Sequence, residues 1–289
     1  MRTIPSSELI IHPDGSIFHL HLKPEQLADK IILVGDPERV TAIAQLLTSI
    51  ECNVQSREFH SVTGFFQNKR ITVVSHGIGC DNIDIVLNEL DALANINFET
   101  RQVNKLFRQL TLVRIGTSGG LQAEAAVGSY VAAKKSIGFD GVLYFYEDSE
   151  RVRDLAMEQE LIEQLDWKQK GIKPYVVASN TTLFDQITQN EMLEGYTIAA
   201  NGFYGPQGRE LRLPLLDPSL NKKIEAFSYE NIKITNYEME SSALAGLSLL
   251  LGHKALTVCC IIAGRVTLNI NTHYQTGIMG LVQKVLERI

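Results

Sequence analysis

Arg114-Ile115-Gly116-Thr117-Ser118-Gly119-Gly120 is the stretch whose residue types can do the most chemistry. Arginine offers a planar fork of donors, Thr117 and Ser118 offer hydroxyls, and the glycines let backbone N–H groups approach closely. Together these suit a bound oxyanion at the carboxyl end of a strand. Alone, the segment leans toward a plainer reading, a glycine turn after the strand ending at Leu112-Val113, with Arg114 paired to a carboxylate. Two other strand ends also combine glycine with arginine, Gly35-Asp36-Pro37-Glu38-Arg39 and Gly264-Arg265. Ligands of α/β sheets collect outside the carboxyl ends of strands, so such ends can converge. Arg39 beside Arg114 favours a dianion such as phosphate, although each arginine alone is more often half of a salt bridge.

Tyr237-Glu238-Met239-Glu240-Ser241-Ser242 puts two carboxylates where a helix is about to start. One of them suits the cap of that helix; the other, turned into a site, suits a vicinal diol such as a ribose. Carboxylates so close in sequence are poor candidates for the opposed acid and base of glycoside hydrolysis. The loop Phe203-Tyr204-Gly205-Pro206-Gln207-Gly208-Arg209 offers an aromatic face, an amide that donates and accepts, and a guanidinium that only donates. That set can read the carbonyl and N–H edge of a pyrimidine, and it is equally the composition of an unoccupied surface loop. Two nucleotide motifs fail. Gly77-Ile78-Gly79-Cys80-Asp81-Asn82 has Asn82 where a dinucleotide fingerprint needs its third glycine, and no GxxxxGK[ST] phosphate loop occurs.

The elements that must position these residues alternate between short apolar runs and helical patterns, the signature of an α/β layered domain. Ile31 to Val34 and Ile71 to Val74 read as buried strands ending at glycines. Asp81 or Asn82 is expected to cap a helix whose stripe is Ile83, Val86, Leu87, Leu90 and Leu93, with Asp84 in its first turn. Residues 97–109 read as a polar surface excursion, and residues 127–133 as a strand. Residues 147–169 carry charges at helical spacing, and residues 174–179 are strand-like. A long loop spans residues 201–218. Residues 241–251 form a helix stopped by Gly252, residues 255–263 a buried strand, and the final helix has a packing role only.

At 289 residues, 45% hydrophobic and 21% charged, the chain fits an ordinary globular protein, and no linker divides it, so one domain over 1–289 is expected. A net charge of −6 gives no general affinity for nucleic acid or anionic membrane. Cys52, Cys80 and the adjacent pair Cys259-Cys260 have neither zinc-ligand spacing nor the look of a disulfide framework. With no signal-like apolar segment either, a cytoplasmic protein is expected.

Six pieces in order resemble the nucleoside phosphorylases of the uridine phosphorylase type: residues 17–20, Gly35 to Val40, Arg57-Glu58-Phe59, Arg114 to Gly120, Phe203 to Arg209, and Tyr237 to Ser241. The resemblance covers nearly the whole chain. It implies a three-layer αβα fold with a central mixed, partly barrel-like sheet, and an enzyme in which phosphate displaces the base from a nucleoside. Gly35, Arg39, Arg114 and Thr117 would hold phosphate, joined by Arg57 from a neighbouring subunit. Met239 and Glu240 would hold ribose with Glu238 nearby, and the neighbour's copy of His19 would reach the 5′-hydroxyl. Gln207 and Arg209 would bind the uracil edge, with Phe203 against the ring; Arg209, Gln207, Glu240 and Arg114 would carry the catalysis. Arg114→Ala is accordingly expected to abolish phosphorolysis with the fold intact.

No cofactor is implied, only phosphate as co-substrate, and no metal. In some relatives a serine and the glutamate after the interfacial arginine hold a monovalent cation between subunits; Asn82 in the serine's place argues against that site here. Borrowed residues imply at least a dimer, and the resemblance suggests a hexamer built as a trimer of dimers. The base loop has Gly205-Pro206 in reversed order, and Ala263-Gly264 replaces a bulkier pair before Arg265. Uridine or a close pyrimidine nucleoside is the expected substrate. A purine phosphorylase, a water-using nucleosidase and a non-catalytic nucleoside-binding protein are the alternatives.

Overall fold

Ile31 to Val34 have no polar side chain to give to water, and the computed structural model, which describes residues 2–265 and 269–289, buries all four inside a sheet. In chain order the elements begin with β1 (Lys30–Val34), α1 (Pro37–Ala44), β2 (Thr48–Ser56), β3 (Phe59–Phe66), β4 (Lys69–Ser75) and α2 (Cys80–Asn95). A small hairpin, β5 (Ile96–Asn97) and β6 (Gln102–Val103), leads to β7 (Thr111–Gly120) and β8 (Tyr130–Gly138). Then come α3 (Leu155–Gln164), β9 (Tyr175–Ala178), α4 (Thr181–Thr188), β10 (Leu193–Ala199), α5 (Leu220–Ala226) and β11 (Ser228–Tyr229). The chain ends with β12 (Ile232–Glu238), α6 (Ser241–Leu251), β13 (Lys254–Gly264) and α7 (Gln275–Arg288).

The strands form one mixed sheet in the order β11-β12-β10-β8-β13-β7-β1-β4-β3-β2, with β9 paired to β8. A further antiparallel pairing joins Asn236 and Tyr237 of β12 to Gly120 and Gly119 of β7. It closes β7, β13, β8, β10 and β12 into a barrel-like ring, while β1 to β4 remain an open extension. Alternation along β1 builds the layers. Ile31 and Leu33 pack with α2 and α6 on one face, whereas Ile32 and Val34 pack with α1, α4 and α7 on the other. A third cluster packs α3 and α5 against β10 and β12. This is the αβα arrangement with a partly closed sheet that the sequence led us to expect.

Several local expectations change. Arg114 to Gly120 is the last seven residues of a ten-residue strand and not a turn. β13 pairs alongside it from Lys254↔Thr111 to Gly264↔Gly120 and holds the glycines extended. The strand expected at 127–133 starts later, at Tyr130, because Gly128 turns the chain at φ 94°, and it runs on to Gly138 to pair with β9 and β10. The charged region 147–169 divides at Asp154, whose carboxylate accepts from the Met157 N–H and caps α3, after a 3-10 turn over Ser149–Val152. The α2 helix starts at Cys80 with Gly79 at its N-cap, so neither Asp81 nor Asn82 caps it; Gly79 at φ 98° supplies the turn. Residues 241–251 form the expected helix with Gly252 in the left-handed region, and α7 buries Ile278, Leu281, Val282, Val285 and Leu286.

Candidate active site

The carboxyl ends of β1, β7 and β13 open onto one cavity of about 1070 Å³. Gly35, Arg39, Arg114, Thr117, Glu238, Met239, Glu240, Phe203, Gln207 and Arg209 all line it, as do Gly264 and Arg265. The three glycine–arginine strand ends therefore converge, as the sheet rule predicts. His19 and Arg57 do not line this cavity. They lie together elsewhere: the Arg57 guanidinium sits 6.0 Å from the Phe18 ring, and Phe18 meets His19 edge-on at 4.8 Å. Glu89 of α2 holds that corner, accepting from the backbone N–H groups of His19 and Leu20 and contacting His19 Nδ1 at 2.6 Å.

One end of the cavity is organised by Arg114, which is buried. Its Nη1 lies 2.8 Å from Glu238 Oε2, its Nη2 contacts Glu240, and its Nε lies 3.2 Å from His76 Nε2. Burial alone would weaken this cation, but Glu240 and Glu238 more than reverse that and hold its pKa above the ordinary arginine value. Gly116 is what lets the guanidinium lie there, since a Cβ on it would stand 2.7 Å from Arg114 Nη1. Arg39 enters from the first turn of α1, whose cap is Asp36 accepting from the Glu38 N–H at 2.9 Å. Its Nη1 donates to the Ile115 carbonyl at 3.3 Å. Among the described residues no carboxylate lies within ion-pair reach of Arg39, so it is an uncompensated cation in a half-buried place.

The two carboxylates of the 237–240 segment have divided roles. Glu238 accepts from the N–H groups of Glu240 and Ser241 and from Ser241 Oγ at 2.6 Å, so it caps α6 while pairing with Arg114. Its lone pairs are spent. Glu240 accepts from the Gly79 N–H at 2.7 Å on one oxygen and meets Arg114 with the other, keeping acceptor capacity on both. Burial raises its pKa, against the pull of Arg114. Cys80 donates from Sγ to the Met239 carbonyl at 3.2 Å, so the amino end of α2 fastens the whole segment.

The other end gathers Phe203, Gln207, Arg209, Arg265 and Tyr237. Arg209 lies over the Phe203 ring with its guanidinium carbon 3.7 Å from the centroid, and donates to the Phe203 carbonyl at 2.6 Å and to Gln207 Oε1. Arg265 donates to the Gln207 backbone carbonyl. Neither guanidinium has a carboxylate partner among the described residues. Burial first, then the nearby Arg265, bring Arg209 down to about 10, which still leaves it charged at neutral pH.

The sequence reading missed His76, whose only signal was its place before Gly77 at a strand end. It also gave the final helix no part in the site, yet Tyr274 at its N-cap lines the cavity. Asn82 and Glu58 lie at the cavity edge and touch each other through Asn82 Nδ2 and Glu58 Oε1 at 3.3 Å. Among the described residues no cluster of three or more His, Cys, Asp or Glu is placed to hold a metal.

Comparison with known proteins places this chain in a family. The chain is 28% identical over 262 residues to a uridine phosphorylase of Thermococcus kodakarensis, covering 88% of this chain and 79% of that one. It is also 28% identical over 258 residues to the Haemophilus influenzae uridine phosphorylase, covering 87% of each. A solved Trypanosoma brucei nucleoside phosphorylase, described as showing uridine phosphorylase activity, superposes with a TM-score of 0.87 at 27% identity, over 97% of this chain and 98% of that one. The phosphorylase superfamily model matches residues 29–278. With that match spanning most of its length, the chain belongs to the phosphorylase superfamily.

Proposed function

We propose that this protein is a pentosyltransferase that catalyses the reversible phosphorolysis of uridine, or a close pyrimidine nucleoside, to uracil and ribose 1-phosphate. The observation that carries the reading is the set of groups that line one cavity. It holds Arg39, which has no ion-pair partner among the described residues, with Arg114 and Thr117; Met239 and Glu240, the latter with spare acceptors; and Phe203, Gln207 and Arg209. These match in turn a phosphate, a diol and a planar imide.

In this reaction no side chain acts as nucleophile. Departure of the base leaves an oxocarbenium-like ribose, and phosphate closes on C1′ from the opposite face, so the protein contributes positioning and charge. Arg39 and Arg114 orient the phosphate with Thr117. Glu240 takes the ribose hydroxyls on its free lone pairs, and Arg209 with Gln207 stabilises negative charge growing on uracil. Arg114, already neutralised by Glu238 and Glu240, cannot balance a phosphate dianion, which leaves Arg39 as the unpaired cation for the phosphate among the described residues. A second chain lending Arg57, with His19 held out by Glu89, supplies what is lacking. The proposed protein is therefore at least a dimer, and the resemblance suggests a trimer of dimers.

Incubation with uridine, thymidine, inosine and adenosine, with and without phosphate, tests the assignment by chromatography of free base. Uracil released only with phosphate is the expected result. Base from inosine alone would replace the pyrimidine by a purine, base without phosphate would mean a nucleosidase, and binding without release would mean a non-catalytic protein.

Gly116→Ala tests the cradle of Arg114. The added Cβ displaces the guanidinium, so kcat/KM is expected to fall by at least about tenfold, while thermal unfolding shows a stable protein. Unchanged kcat/KM would show that Arg114 needs no such room.

A further inference from the structure

We propose that His76 is a positioning residue that sets the orientation of Arg114 toward phosphate, by accepting the Nε hydrogen of Arg114 on its Nε2. The inference rests on the reading of Arg114 as a phosphate ligand, and it adds a residue that does not touch substrate. His76 follows β4, donates its backbone N–H to the Val34 carbonyl at 2.8 Å, and has a fully buried ring.

The chemistry of the contact fixes the tautomer. Arginine Nε can only donate, so His76 Nε2, 3.2 Å away, is the unprotonated acceptor and the neutral ring carries its hydrogen on Nδ1. Among the described residues Arg114 is the side chain that hydrogen-bonds this ring, while the Gly77 backbone beside it favours the hydrogen on Nδ1. Burial, then the charges of Arg114 and Arg39, push its pKa well below the ordinary value, so the ring remains an acceptor across the working pH range.

The consequence is geometric. Glu238 and Glu240 hold the two Nη groups, and both carboxylates pull the guanidinium to one side. His76 pins the third corner. Without it, the planar group is free to settle further onto the carboxylates and away from an incoming anion.

Three variants separate this role from packing. His76→Leu fills space without an acceptor, His76→Asn ends short of Arg114, and His76→Gln carries a carbonyl oxygen near the place of Nε2. Initial rates against phosphate and uridine are expected to show the phosphate KM raised about tenfold in the Leu and Asn variants. The uridine KM is expected to stay within about twofold, and the Gln variant to return most of the loss. Equal impairment of Gln and Asn, or a Leu variant with a normal phosphate KM, would overturn the proposal. Where the Leu variant fails to fold, the Gln and Asn pair decides alone. A wild type that releases base without phosphate overturns the Arg114 reading and this inference together; phosphate-dependent wild type with indifferent variants overturns this inference only.

Discussion

Arg114→Ala is expected to lower kcat/KM for phosphorolysis by about 10³-fold or more, because a charge that steadies both phosphate and the Glu240–ribose contact is lost at once. The structure also changes an expectation drawn from sequence, that the fold would be untouched. Arg114 is the counter-ion of two buried carboxylates, and removing one member of such a group costs about 3–5 kcal/mol. The loss should depend on pH. Glu240 already has a raised pKa, from burial against the pull of Arg114, and without Arg114 it rises further. A carboxyl whose pKa is higher in the folded than in the unfolded state binds more protons when folded. Its contribution therefore favours the fold below the ordinary glutamate range and is lost as pH climbs through the folded value. Urea unfolding should show the variant's deficit growing as pH rises above the ordinary glutamate range. A deficit that stays flat would mean that Glu238 and Glu240 find other partners or water.

Arg209→Ala is expected to lower kcat by about 10²–10³-fold, the scale of losing one preorganised donor to a developing anion. The leaving base gathers negative charge as the glycosidic bond breaks, and Arg209 is charged, seated over Phe203 and tied to Gln207 before substrate arrives. The sharper expectation concerns the leaving group. Fluorine at C5 makes uracil a weaker base, so 5-fluorouridine needs less help, and the deficit should shrink for it relative to uridine. Equal deficits for the two substrates would mean that Arg209 binds the base without easing its departure. Lysine at 209 should recover little, since a point charge neither stacks on Phe203 nor forks.

What the sequence made legible was chemistry at strand ends. Gly35, Arg39, Arg114, Thr117 and Glu240 sit beside glycines or helix starts, where residue type already limits what the backbone can do. The closure of β12 onto β7 was not legible, because the Asn236↔Gly120 and Tyr237↔Gly119 pairings join distant segments and leave no local pattern. The extended state of Gly116 to Gly120 was misread for the same reason: β13, far along the chain, imposes it. Sequence named two carboxylates at the start of α6 without saying which capped it. Geometry gives that task to Glu238, two residues back, and frees Glu240. His76 was silent in sequence because a histidine after a strand carries no spacing signal until its neighbour is known.

The α2 helix holds two things apart from each other. At its first turn, Gly79 and Cys80 grip Glu240 and Met239, the groups for this chain's own sugar. Nine residues on, or about 14 Å along the axis, Glu89 grips His19. In the proposed dimer that imidazole would serve the neighbour's sugar, so one helix would carry the fittings of two reaction chambers.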